Sequence, residues 1–205
     1  MVLGKKVKTP LDEYIRSLHP VVLDTENKFL FSGIRKCCLH SVYRHTLKHR
    51  AITQRDCRIL FNHRMNITNL DDIFKFTIVR NPWDRMVSTF HFLQNWRNRI
   101  PKKETFKYYV KTVFKHYGTR CDPHFEHQHP HFYFEGKIFL DFVARYENLK
   151  EDWVEIAKAI NCDPVLAHKN RSKHKDYRTY YDLECAEIVE NIYKTDIDLL
   201  GYKFG

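Results

Sequence analysis

A chain of 205 residues with 43% hydrophobic and 15% aromatic content can bury a core of its own, which excludes a disordered chain and leads us to expect one domain spanning residues 1–205. Lysine and arginine total 35 against 25 acids, a net charge of +10 with 13 histidines in reserve, so anionic partners are expected: a nucleotide, an acidic substrate, nucleic acid or a membrane surface. Six cysteines, two of them adjacent at Cys37 and Cys38, give no framework for a disulfide-held domain, and no apolar run approaches the roughly 18 residues of a membrane span.

In chain order, the first predicted element is a helix near Leu11–Leu18. Phe29-Leu-Phe-Ser-Gly-Ile-Arg-Lys-Cys-Cys-Leu-His-Ser41 then reads as strand, tight turn and helix, with Leu39, Val42, Tyr43, Thr46 and Leu47 on one helix face at i, i+3, i+4, i+7 and i+8. Lys36 falls where strand hands over to helix, and Ser41 lies in the first helical turns. Backbone N–H groups, a lysine and a hydroxyl at such a handover make a phosphate cradle, although the glycines of G-x-x-x-x-G-K-[ST] are missing. Arg58–Phe61 is a candidate second strand.

Ile73 to Arg80 is a third strand, rich in β-branched and aromatic residues as a covered strand should be. A turn follows at Asn81-Pro82, and helix runs from Pro82 to about Asn98 with Met86, Val87, Phe90 and Leu93 inward; proline suits the first helical turn because its missing N–H costs nothing there. Arg80 at the strand end and Ser88 in the helix make a second anion site, unless Arg80 simply pairs with a carboxylate such as Asp84. Two such units suggest a ligand phosphorylated in two places. Downstream come a helix over Thr105–Tyr117, an irregular histidine-rich segment over Cys121–Phe134, a strand within Phe139–Tyr146, and helices over Glu151–Ile160 and Asp182–Tyr193. Strands alternating with helices imply a mostly parallel sheet covered on both faces, with ligands at the strands' carboxyl ends.

Four segments in register resemble the sulfotransferases. Ile34-Arg-Lys-Cys-Cys-Leu-His-Ser41 is similar to their 5′-phosphosulfate loop, I-P-K-x-A/G-x-T-S, and Val79-Arg-Asn-Pro-Trp-Asp-Arg-Met-Val-Ser-Thr-Phe90 to their 3′-phosphate segment, R-[DN]-P-x-x-R-x-V-S-x-[YF]. Phe142 to Trp153 resembles G-R-[FY]-E-N-L-x-x-D-[FW], and the tail from Asn170 to Tyr202 is similar to that of the carbohydrate branch, which includes the heparan- and chondroitin-type enzymes. The loop departs from the pattern at Arg35, where proline is usual, and at His40, where a hydroxyl is usual.

The resemblance implies an α/β fold of the P-loop-like kind and transfer of a sulfuryl group from 3′-phosphoadenosine-5′-phosphosulfate to an acceptor hydroxyl; no D-x-D or comparable carboxylate set for magnesium stands out, so no metal is expected. Carried onto this chain, it puts Arg35, Lys36, Cys37, Cys38, Leu39, His40 and Ser41 around the 5′-phosphate and Arg80 and Ser88 at the 3′-phosphate, with Lys173 joining from a basic loop. Lys36 would neutralise charge developing on the leaving phosphate. A histidine base is needed for the acceptor hydroxyl. His63 falls in the interval where heparan-type enzymes carry theirs, and His124, in His124-Phe-Glu-His-Gln128, lies in a segment like H-W-x-P-Q, making it a rival base or an acceptor-site residue. Arg145, Glu147 and Asn148 are read as structural. The acceptor expected is a saccharide, anionic if Arg97, Arg99, Lys102 and Lys103 face it; nucleic acid is not an expected partner.

Three other readings stay in view. The run Cys121, His124, His127, His129, His131 offers zinc ligands, though at no closed-site spacing. A basic protein that binds nucleic acid or a phosphorylated ligand without catalysis would account for the charge, and a nucleotide kinase for an α/β fold. The N-terminal Met1-Val-Leu-Gly-Lys-Lys-Val-Lys8 lacks the apolar core of a secretory signal, so the expectation is a cytoplasmic enzyme, or a Golgi-lumenal one whose N-terminal anchor has been removed.

Overall fold

A computed structural model describes residues 10–18, 21–24, 28–46, 72–166 and 174–205. Two compact units interleave along the chain, one comprising residues 1–34, 38–79 and 130–167, the other residues 35–37, 80–129 and 168–205. His63, Lys173 and the candidate strand Arg58–Phe61 lie outside the described residues.

The first unit is built on a four-stranded sheet in the order β1-β2-β3-β6, with β1 Val21–Asp24, β2 Phe29–Ser32, β3 Phe74–Val79 and β6 Phe142–Arg145. β1 runs antiparallel to β2, whereas β2, β3 and β6 are parallel, so the expected mostly parallel α/β sheet is present. Pairing follows the aromatic pattern: Phe29 sits opposite Phe74 and Phe31 opposite Phe76, with the Phe31 and Phe76 rings stacked 5.0 Å apart. Side chains alternate across a sheet, so these rings share one face. Tyr43 of the Leu39–Thr46 helix meets Phe31 edge-on at 6.1 Å, and Trp153 of the Leu149–Ala159 helix meets Phe76 at 6.5 Å. Both helices therefore cover that face. Leu30 points the other way and packs with Ile15, Leu18, Val21 and Ile73, which brings the Pro10–Ser17 helix onto the opposite face. Parallel strands need this double cover, and Leu30, Phe31, Phe76 and Ile78 are fully buried.

A small hairpin, β4 Tyr133–Phe134 and β5 Lys137–Ile138, completes this unit. Its two turn residues, Glu135 and Gly136, both have positive φ, as a two-residue turn matched to strand twist requires.

The second unit is helical. Its main element, Pro82–Asn95, is capped by Asn81, whose side chain accepts from the backbone N–H groups of Trp83 and Asp84. The helix stops three residues short of the expected Asn98, where Trp96 to Asn98 turn outward to solvent. Trp83, Met86, Val87, Phe90 and Leu93 enter a core with Phe106, Tyr109, Phe114, Phe125, Val189 and Tyr193. The expected Thr105–Tyr117 helix forms in three pieces, α-helical at Phe106–Tyr109 and Lys115–Tyr117 with a π-helical turn at Val110–Phe114 between them. Helices Leu183–Ile192 and Lys194–Leu200 close the chain. The five described cysteines form no disulfide with one another, and among the described residues no helix is long and apolar enough to cross a membrane.

Candidate active site

The Lys36 turn follows β2 directly. Lys36 and Cys38 take left-handed φ values of 69° and 58°, a conformation that costs a non-glycine residue roughly 1–2 kcal/mol. Of the residues the resemblance assigns to this loop, Arg35, Lys36 and Cys37 belong to the second unit and Cys38 to Ser41 to the first. Cys38, Leu39 and Ser41 enter the first helical turn, where the Cys38 carbonyl accepts from the N–H groups of Ser41 and Val42; Ser41 is buried and His40 exposed. Arg35 neither points to solvent nor stands apart: its guanidinium pairs with Glu126 at 2.8 Å.

Within the second unit, Lys36 lies with its ammonium 4.4 Å from the centroid of Phe92. Loss of water, reinforced by the Arg80 charge, lowers its pKa to about 8, so the amine is charged at neutral pH but close to titrating. The Phe92 ring also meets the His124 ring at 4.8 Å and the Arg97 guanidinium at 5.6 Å. Lys36 and one candidate base, His124, thus both lie against the Phe92 ring.

His124 is held from behind. Its Nδ1 lies 2.6 Å from Oδ1 of Asp122, whose carboxylate also accepts from the His124 backbone N–H and from Arg99. Burial alone would raise the Asp122 carboxyl; those donors outweigh it and hold it below the usual range. For His124 the order reverses: burial, with help from the Arg35 and Lys36 charges, outweighs Asp122 and lowers the imidazole pKa. The ring is therefore neutral at pH 7, with Nδ1 tied to a carboxylate and Nε2 as its remaining basic atom.

Arg80, 4% exposed, follows β3. It does pair with Asp84, Nε to Oδ2 at 2.8 Å, and its Nη1 donates to the Lys36 carbonyl at 3.0 Å. Ser88 lies two turns into the helix that follows and is 1% exposed. The second arginine of this segment, Arg85, is 1% exposed and donates to the carbonyls of His124 and Glu126, tying the histidine-bearing loop to the Pro82–Asn95 helix.

The histidine-rich run does not converge on one point. Cys121 approaches the Val113 carbonyl, His124 pairs with Asp122, and His131 Nδ1 lies 3.0 Å from Ser32 Oγ. Among the described residues, His127, His129 and Asp196 bring three metal-type ligand atoms within 4.8 Å of one another. The Asp196 oxygens there already accept from the N–H groups of Gln128 and His129 and from His129 Nδ1, and Arg85 adds a positive charge nearby. That donor set reads as an anchor for the loop.

Sequence reasoning gave no role to Phe92, Asp122, Glu126 or Gln128, and read Asp196 only as part of the tail that resembles the carbohydrate branch. The residues D-P-H around His124 were the available signal, since an acid two before a histidine can turn back onto its ring.

The chain is a member of the sulfotransferase family, whose model matches residues 19–203. It is accordingly a sulfuryl-transferring enzyme that takes an acceptor substrate. Neither comparison with curated proteins nor comparison with solved structures gives a significant match.

Proposed function

We propose that the enzyme transfers the sulfuryl group of 3′-phosphoadenosine-5′-phosphosulfate to a saccharide hydroxyl. The observation that carries this reading is the grouping of Lys36 and His124 around Phe92, with Arg80 hydrogen-bonded to the Lys36 carbonyl. The donor set fits such a nucleotide: a left-handed turn bearing an ammonium suits the 5′-phosphate, and a buried guanidinium, followed in the next helix by the Ser88 hydroxyl, suits the 3′-phosphate. When bound, the donor supplies an activated sulfuryl group on a good leaving phosphate.

The protein's part is positioning and charge. Lys36, with the backbone of Cys37 to His40 and the Ser41 hydroxyl, holds the 5′-phosphate; Lys36 neutralises charge on the bridging oxygen as the sulfur–oxygen bond breaks. Arg80 and Ser88 hold the 3′-phosphate. His124 Nε2 takes the acceptor proton as the new oxygen–sulfur bond forms, and Asp122 stabilises the resulting imidazolium. His63 is the rival base. The Arg97 and Arg99 side chains and the 80% exposed Trp96 favour an anionic sugar acceptor, which an indole can stack against and a guanidinium can pair with.

Calorimetric titration with 3′-phosphoadenosine-5′-phosphate, adenosine 5′-phosphate and ATP, without metal, tests the donor site. We expect tight binding of the bisphosphate alone, abolished in Arg80→Ala. Equal affinity for all three, or none for any, would rule the donor out and favour a protein that binds phosphorylated ligands without catalysis.

A further inference from the structure

We propose that Gln128 is a positioning residue whose carboxamide fixes the spacing between the Lys36 turn and Arg80, and that Asp196 holds it in place. The inference rests on the donor-site reading above and concerns how the two phosphate-binding groups are kept in register.

The Gln128 side chain is completely buried, so both ends of its amide need partners. Nε2 donates to the Arg80 carbonyl at 2.8 Å, and Oε1 accepts from the Arg80 N–H at 2.9 Å. The carboxamide thereby exchanges two bonds with one residue, as a neighbouring backbone segment does in an antiparallel pair. The same Oε1 accepts from the Cys37 thiol at 3.6 Å. Arg80 closes the circuit through Nη1 to the carbonyl of Lys36. Lys36, Cys37, Gln128 and Arg80 therefore form a ring of hydrogen bonds with one carboxamide at its centre.

That carboxamide is itself fixed. The backbone N–H groups of Gln128 and His129 each donate to one Asp196 oxygen at 2.8 Å, and Asp196 is fully buried in the Lys194–Leu200 helix. A primary amide of this length is required. Glutamate at 128 keeps the shape but has no donor for the Arg80 carbonyl, and asparagine is one methylene short. Two phosphates on one adenosine are separated by a set distance, so the advantage of the second depends on the spacing of the groups that receive them.

The test compares affinities for the bisphosphate, adenosine 5′-phosphate and adenosine 3′-phosphate in wild type, Gln128→Glu, Gln128→Asn and Asp196→Asn. The ratio of the Kd for each monophosphate to that for the bisphosphate, taken on one preparation, is independent of the folded fraction, so a merely structural role leaves it unmoved. We expect that ratio to fall about tenfold or more in both Gln128 variants and by less in Asp196→Asn. Unchanged ratios overturn the proposal while leaving the donor site standing. Wild type that binds no bisphosphate overturns both. Should the variants fail to fold, NMR of wild type decides: the Gln128 side-chain amide is expected to be protected from solvent exchange and shifted by the bisphosphate, and fast exchange with no shift overturns the proposal.

Discussion

Asp122 Oδ1 and His124 Nδ1 lie 2.6 Å apart, two residues along one loop, and this contact decides which nitrogen of the ring can work. A carboxylate held ionised can only accept, so Nδ1 carries the proton and Nε2 the lone pair. Asp122→Asn offers an amide in place of the acceptor and frees the ring to take the wrong tautomer. We expect turnover to fall about 10²–10⁴-fold in Asp122→Asn and in His124→Ala, with donor affinity nearly unchanged. The double variant should be little worse than either single one, because the two groups act as a unit. Full turnover in His124→Ala alongside loss in His63→Ala would move the base to His63.

The pH dependence of the proposed reaction follows from His124 and Lys36 and has a definite sign. His124 must be neutral to accept a proton, and burial lowers its pKa, so kcat/KM should rise with pH through a point below the ordinary histidine value. Lys36 must be charged to meet a phosphate, and its pKa of about 8 sets the opposite limb: activity falls as pH rises through that region. Bisphosphate affinity, which does not involve the base, should show the alkaline limb alone. Lys36→Arg keeps its charge well above pH 8 and should remove that limb from the binding curve. A binding curve flat from pH 7 to 9.5 in wild type would exclude Lys36 as a phosphate ligand.

Local chemistry made one part of this molecule legible. The strand Phe74–Val79 and the helix from Pro82 are both marked by short-range signals, a β-branched and aromatic run followed by Asn-Pro, and the cap that Asn81 provides is a contact between near neighbours. The Phe29–Ser32 strand and the helix after it were readable for the same reason. β1 was not: Val21–Asp24 is four residues long and becomes a strand only by pairing with β2. The Lys194–Leu200 helix was seen only as a motif, because it follows the preceding helix after one residue.

The site divides in the same way. Lys36 and Arg80 stand at turns that the sequence marks, whereas the 121–134 segment looked merely irregular. Its order comes from distant partners: Arg85 and Thr89 reach the His124 carbonyl, and Gln128 binds Arg80 from 48 positions away and Asp196 from 68. No periodicity announces such contacts. Arg35 illustrates the limit, since its pairing with Glu126, 91 positions on, could not be read from the missing proline.

The acceptor side has its own prediction. Arg97 is exposed, yet its guanidinium lies over the ring that Lys36 and His124 share. Charge reversal by Arg97→Glu should raise KM for an anionic sugar acceptor about tenfold, more at low ionic strength than at high, and leave the KM for the donor within about twofold. Parallel changes in both KM values would place Arg97 at the donor instead.

Arg85 carries the last prediction, which concerns stability as well as activity. Its guanidinium is buried, lies 5.2 Å from the Tyr193 ring, and donates to two carbonyls of the histidine-bearing loop. Arg85→Ala strands the Glu126 carbonyl and leaves the His124 carbonyl with Thr89 alone, at a cost of about 3 kcal/mol. Arg85→Lys keeps a charge but cannot reach both carbonyls, and should cost about half as much. Urea denaturation should show a lower midpoint in both variants with an unchanged slope, which is loss of stability without a change in the surface exposed. Turnover should fall in folded Arg85→Lys too, because the backbone it tethers is that of His124 itself. A midpoint within error of wild type in Arg85→Ala would mean that the loop is held by Asp196 and Thr89 without it.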